Sequence, residues 1–311
     1  MQKNFGYKFK FKVDFRDENV NKVFKLAIPV IISTAVLPIN SLVSTRLASG
    51  MGENAVAAIE YAYKLYLVVS GVFTYAIGNI IFPELSRANA DKDEESYINL
   101  IHKAMRILSY ILIPLTIGII IYREDIVSTI YERGEFDANS TLMTSGALLY
   151  YAIGIIGSGF VEIMNKAFYA KQDTKSPLKT GIFVIIINII LSILFGNLMS
   201  FKGLALATSI SSIINATILI LIYSQKQRRI LDKKVIYKIV KMLFCALAMG
   251  IFVYVLNGLL IGVLSGTILK NIIRMVIGAV VGVIFYYLLT MLFKVNEINF
   301  LKLKGGLDEE N

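Results

Sequence analysis

The sequence predicts an all-α polytopic membrane protein with eight transmembrane helices, and three observations carry that expectation. Of the 311 residues 56% are hydrophobic and 17% charged, with a mean hydropathy of +0.66; disordered chains and most soluble folds do not have this composition. Eight runs contain no Asp, Glu, Lys, Arg or His: 26–45, 65–83, 107–122, 138–161, 180–199, 203–224, 242–269 and 275–293. Each can cross a hydrocarbon core of roughly 30 Å as a helix that satisfies its own backbone hydrogen bonds, the shortest by borrowing flanking residues. Membrane β-barrels instead show alternating strands of about ten residues. Finally, assigning the connections alternately to two sides places 25 Lys and Arg on one side and 6 on the other, with Lys64 left inside a helix. By the positive-inside rule the richer side is cytoplasmic, both termini lie there and the number of crossings is even. Much of the net charge of +10 then serves topology, and with no nucleic-acid-binding motif beside it no nucleic-acid partner is expected.

In chain order, residues 1–25 form a basic amphipathic cytoplasmic segment in which Tyr7, Phe9, Phe11, Val13 and Phe15 alternate with Lys8, Lys10, Lys12 and Asp14. Such a segment can lie on anionic membrane lipids or serve as a plain cytoplasmic linker. A six-helix lobe follows over 26–224, then a basic connector over 225–241, two further helices over 242–293 and a cytoplasmic tail over 294–311. Pro29, Pro38 and Pro114 fall within spans and predict kinks in the early helices, leaving the last three straight. The stretch Tyr131-Glu132-Arg133-Gly134-Glu135-Phe136-Asp137 reads as a helix end at Gly134 and an N-cap at Asp137. The stretch Phe168 to Pro177 ends one helix and restarts another near proline, with contact to phosphate headgroups as the alternative. Cys245 and His102 each stand without neighbours of metal-binding type, so neither a metal nor a cofactor is expected.

Charges at membrane depth are costly and therefore candidates for function. Glu60 and Lys64 are spaced i,i+4 with the acid first, the favourable order for a pair. At 100° per residue Glu60, Lys64, Leu67, Gly71, Thr74, Tyr75 and Gly78 occupy one sector of about 100°. This polar, small-residue face suits a hydrated cavity in which Lys64 meets an anionic headgroup and Glu60 holds it; the competing reading is an ion pair snorkelling at the outer interface. Glu162 and Lys166 repeat the spacing on the fourth helix, with Tyr151, Ser158 and Asn165 near the same face, either as part of the site or as a rim salt bridge. Asn40, Asn79, Asn188, Asn215 and Asn257 are expected to join helices rather than bind ligand.

At these residues the chain resembles the MurJ (MviN) lipid II flippase family, within the superfamily of MATE exporters and polysaccharide flippases. The resemblance runs over roughly residues 10–225 through Asn40-Ser41-Leu42-Val43, Tyr61-Ala62-Tyr63-Lys64-Leu65, Phe82-Pro83-Glu84-Leu85-Ser86, Glu132-Arg133-Gly134-Glu135-Phe136-Asp137, Phe168-Tyr169-Ala170, Asp173-Thr174-Lys175-Ser176-Pro177 and Gly203-Leu204-Ala205-Leu206-Ala207-Thr208-Ser209. It implies the second six-helix lobe of a MATE-like fold plus the family's extra pair of helices, with the first lobe absent. It also implies transport of an undecaprenyl-diphosphate-linked peptidoglycan precursor across the bacterial inner membrane by alternating access, without enzyme chemistry. A separately encoded first lobe or a second copy would then be a partner. Lys64 stands where the family has an arginine, which keeps the charge and loses bidentate phosphate geometry; Glu60 stands where an amide is commoner. The resulting candidate substrate-binding set is Lys64, Glu60, Tyr75, Glu162 and Lys166. Two other functions compete: a MATE-like cation-coupled exporter using Glu60, and an inactive half serving as a membrane scaffold.

Overall fold

The computed structural model describes residues 36–295, apart from 53, 227–231, 263, 265 and 267, together with scattered positions between 20 and 31. The amphipathic segment 1–25 and the tail 294–311 fall almost wholly outside the described residues, as do Pro29 and the side chains of Pro38 and Asn40. Among the described residues the chain forms nine helices: α1 Val36–Ala48, α2 Ala55–Ala90, α3 Glu94–Tyr131, α4 Ala138–Ile153, α5 Ile155–Ala170, α6 Lys175–Met199, α7 Phe201–Lys226, α8 Lys233–Ile261 and α9 Ile268–Leu292. Six are long and apolar enough to cross a membrane, and α4 with α5 makes a seventh if the bent pair counts as one span. The remaining expected crossing is the first, within which the described helical residues are 27, 28, 30 and 31 and those of the 13-residue α1. The all-α membrane fold therefore stands, and every charge-free run lies in a helix or ends in one.

Local chemistry sets the helix starts. Asp93 Oδ1 accepts from the Ser96 N–H at 2.9 Å, and Asp137 Oδ1 accepts from the N–H and the hydroxyl of Ser140, both at 2.8 Å. These carboxylates satisfy donors that a helix leaves free at its first turn. At 36 residues, α2 is about 54 Å long, so its ends extend past the hydrocarbon on both sides. Pro83 and Pro114 lie inside continuous helices.

One break in a span comes at a glycine. Between α4 and α5 the axis turns by 45° at Gly154. A Cβ there would stand 2.7 Å from both Cα and Oγ of Ser209, so only glycine admits α7 this closely. The Ser209 hydroxyl faces the carbonyls of Tyr150 at 2.6 Å and Tyr151 at 3.2 Å, giving them a donor at the break, as buried backbone acceptors require.

Two cores organise the bundle. Ile59, Tyr66, Leu85, Leu108, Leu112, Tyr151, Ile163, Phe168 and Tyr223 bury one cluster drawn from α2, α3, α4, α5 and α7. Ile113 and Tyr122 of α3 share a second with Met242, Cys245 and Met249 of α8 and Tyr286 of α9. The last two helices thus dock on α3, and their outer faces present Phe244, Leu247, Ile251, Val280, Val283 and Leu288, as lipid contact demands. At one end of this seam Arg274 of α9 donates to Asp125 of α3. Asn188 of α6 reaches Ser211 of α7 at 3.3 Å, joining helices as its type suggests, whereas Asn215 and Asn257 bury carbonyl oxygens that no donor among the described residues meets.

Candidate functional site

Lys64 sits on the exposed side of α2 with Glu60 one turn before it. Among the described residues the two do not pair: the Lys64 ammonium lies 5.1 Å from the centroid of the Tyr61 ring instead. An exposed carboxylate–ammonium pair contributes little, and an aromatic face within about 6 Å offers a comparable attraction with fewer torsions to fix.

What holds Tyr61 in place was not evident from the helix itself. Its ring packs 4.7 Å from Tyr131 and 5.4 Å from Phe136, one immediately before the Glu132–Asp137 motif and one within it. Glu132, at the C-cap of α3, accepts a hydrogen bond from the Thr141 hydroxyl at 2.8 Å, and Asp137 caps α4. Gly134 turns the chain between them with φ of 61°, a conformation suited to glycine. The connection therefore fixes Tyr131 and Phe136, these fix Tyr61, and Tyr61 carries Lys64. The residues of this motif by themselves imply only capping.

The polar sector of α2 is divided rather than continuous. Its Glu60 and Lys64 end is open, and Tyr75 remains 55% exposed. Thr74 and Gly78 are buried, Thr74 against Gly159 of α5. At Gly78 a Cβ would come within 3.5 Å of Lys166 Cε and 3.6 Å of Glu162 Cγ. The second charged pair thus lies on the backbone of α2. Lys166 Nζ stands 3.5 Å from Glu162 Oε1 and 5.5 Å from the Phe82 ring centroid. Fourteen residues separate Lys64 from Gly78, about 21 Å along the helix. The five candidates accordingly form two stations at the two ends of the apolar stretch 65–83, with Tyr75 between them.

Tyr151 does not share the face of Glu162 and Lys166. It precedes the Gly154 break, which resets the helical phase, and it stacks with Tyr66 at 5.5 Å and meets Tyr63 at 5.6 Å. These rings brace α2 against α4 directly behind the Lys64 turn.

At the end of the bundle that carries the α5–α6 turn, the Phe168–Pro177 motif is tied into the protein. Lys171 Nζ reaches Glu94 Oε1 at 2.6 Å and lies 4.7 Å from the Tyr97 ring centroid. Lys226 Nζ reaches Asp173 Oδ2 at 2.8 Å and Ser176 Oγ at 2.7 Å, while Asp173 Oδ1 accepts from the Ser176 N–H at 3.0 Å. Partial burial would raise the Asp173 pKa, but the hydrogen bonds from Lys226 and Ser176 outweigh it and hold the carboxyl below its ordinary value. The motif thus caps α6 and clips it to α7. Among the described residues no group of three or more His, Cys, Asp or Glu side chains is gathered as a metal site.

Comparison with known proteins agrees with this architecture. The family model described as "Lipid II flippase MurJ" matches residues 1–274. The "Lipid II flippase MurJ" of Burkholderia cenocepacia is 30% identical over 206 residues, 66% of this chain and 40% of that protein. The "Probable lipid II flippase MurJ" of Haemophilus influenzae is 30% identical over 257 residues, 80% of this chain and 50% of that one. A solved structure of "Lipid II flippase MurJ, inward closed conformation" superposes with a TM-score of 0.71 at 25% identity, covering 93% of this chain and 57% of that one. A eukaryotic MATE transporter shares the fold with a TM-score of 0.60 at 17% identity, covering 79% of this chain and 56% of that one. The chain spans half or less of the length of these curated relatives. It is a polytopic membrane protein that belongs to the MurJ lipid II flippase family.

Proposed function

We infer that this chain supplies the second lobe of a flippase for an undecaprenyl-diphosphate-linked peptidoglycan precursor, and that it transports rather than catalyses. The observation that carries the reading is Lys64: a cation exposed on a membrane-crossing helix, held over an aromatic ring that a family motif supports. Lys64 receives the diphosphate, Tyr75 lies along its path, and Glu60, Glu162 and Lys166 complete the charged positions of the face. The Lys and Arg asymmetry supports an orientation with both termini in the cytoplasm of a bacterial inner membrane, Lys166 near the cytoplasmic side and Lys64 near the outer side. In the alternating-access scheme, two lobes rock about a central site. Moving each negative charge outward across an inside-negative potential is favoured by about 2.3 kcal/mol per 100 mV, so an anionic headgroup can be driven without ATP.

Complementation of a flippase-depleted bacterium tests the reading. The chain should restore growth and precursor delivery when a first-lobe partner, separately encoded or a second copy, is co-expressed. Failure with and without such a partner would replace the flippase reading with that of a membrane scaffold. Drug efflux that disappears in Glu60→Gln would instead favour a MATE-like exporter.

A further inference from the structure

The Glu162–Lys166 pair has the geometry of a separable couple. Its 3.5 Å separation exceeds the 2.7–2.9 Å typical of a charge-assisted N–H···O bond. Both side chains keep about a fifth of their surface exposed, at 23% and 22%. They rest on the bare backbone of Gly78, and the α2 side chain beside them is Phe82, whose ring offers Lys166 an uncharged face rather than a competing anion. Lys64, Tyr75, Gly78 and Phe82 fall within about 60° of arc on α2, so the pair occupies the strip that leads to Lys64.

Resting on the flippase reading above, we propose that Glu162 is a resident anion that competes with the diphosphate of the lipid-linked cargo for Lys166. A lone ammonium in a medium of low dielectric would hold a diphosphate strongly, and a conduction path needs stations weak enough to release what they bind. The diphosphate brings more negative charge and more acceptor oxygens than one carboxylate, so it displaces Glu162 on arrival. Once the cargo moves toward Lys64, the carboxylate returns to Lys166 and prevents rebinding. Glu162 is thus a specificity-determining residue: a weaker anion, with a single charge, does not dislodge it.

The test is binding of undecaprenyl diphosphate to the full chain in nanodiscs of phosphatidylcholine. Glu162→Gln, which keeps the shape and loses the charge, should bind about tenfold more tightly than wild type, and Lys166→Gln about tenfold more weakly, one charge-assisted contact in each case. Glu162→Ala must shift in the same direction as Glu162→Gln, and the double variant should bind no better than Lys166→Gln. Phosphatidylglycerol, with one charge, should not displace the probe from wild type. Wild-type binding that Glu162→Gln leaves unchanged or weakens would overturn the resident-anion role while leaving the flippase reading intact. A wild-type chain that does not bind the probe would instead overturn the flippase reading itself.

Discussion

Gly154 and Ser209 meet where the axis of α4 turns into that of α5, with the Ser209 Cα 2.7 Å from the place a Gly154 Cβ would occupy. Any side chain at residue 154 therefore pushes on the backbone of α7. Gly154→Ala should destabilise the protein by about 1–3 kcal/mol, the usual range for overpacking a filled interior. Ser209→Ala, which removes the donor facing the Tyr150 and Tyr151 carbonyls, should cost about 1–2 kcal/mol. Thermal unfolding in detergent checks both, and a Gly154→Ala protein that melts with wild type would show that α7 does not press on this break.

Arg274 is 5% exposed and pairs with Asp125 across the seam between α9 and α3. Arg274→Ala leaves the half-buried Asp125 carboxylate without its partner and should cost about 3 kcal/mol, the lower end for a buried pair, whereas replacing both with Met and Leu should restore much of the loss. The same melting assay distinguishes them. Equal damage from the single and double changes would mean that packing, rather than an uncompensated charge, dominates.

Two carboxylates outside the membrane give a pH dependence of known sign. Burial would raise the Asp173 pKa, but Lys226 and Ser176 hold it below the ordinary carboxylate value. Asp137 is held below 3.8 by the backbone N–H and then the hydroxyl of Ser140. A depressed folded-state pKa contributes stability that is complete above the ordinary value and disappears as pH falls through the folded one. Melting temperature should therefore be insensitive to these groups near neutrality and drop below about pH 4. Asp173→Asn should flatten part of that drop; an unchanged acid limb in this variant would remove the clip as its source.

The helices were legible because each crossing announces itself through a run of apolar residues that nothing interrupts. Caps such as Asp137 were legible for the same local reason. The 45° turn at Gly154 was not, since 138–161 is one unbroken run and what bends it is a serine on α7 that lies 58 residues beyond Tyr151. Nor was the pairing of Asp125 with Arg274, which are 149 residues apart and each look like a loop charge at the end of a span. Within the candidate site, the i,i+4 spacing correctly placed Glu162 beside Lys166. The same spacing mispaired Lys64, because Tyr61 owes its position to Tyr131 and Phe136, aromatic residues on another connection. Local periodicity specifies which residues share a helix face; it does not specify what the neighbouring helix brings to that face.

The most direct test of the cationic path is the Lys64→Ala variant, assayed under the conditions in which wild type delivers precursor to the outer leaflet. Delivery should be lost while membrane insertion and melting temperature stay normal, and Lys64→Arg should retain it. Normal delivery by Lys64→Ala would contradict the assignment of Lys64 as the group that meets the diphosphate.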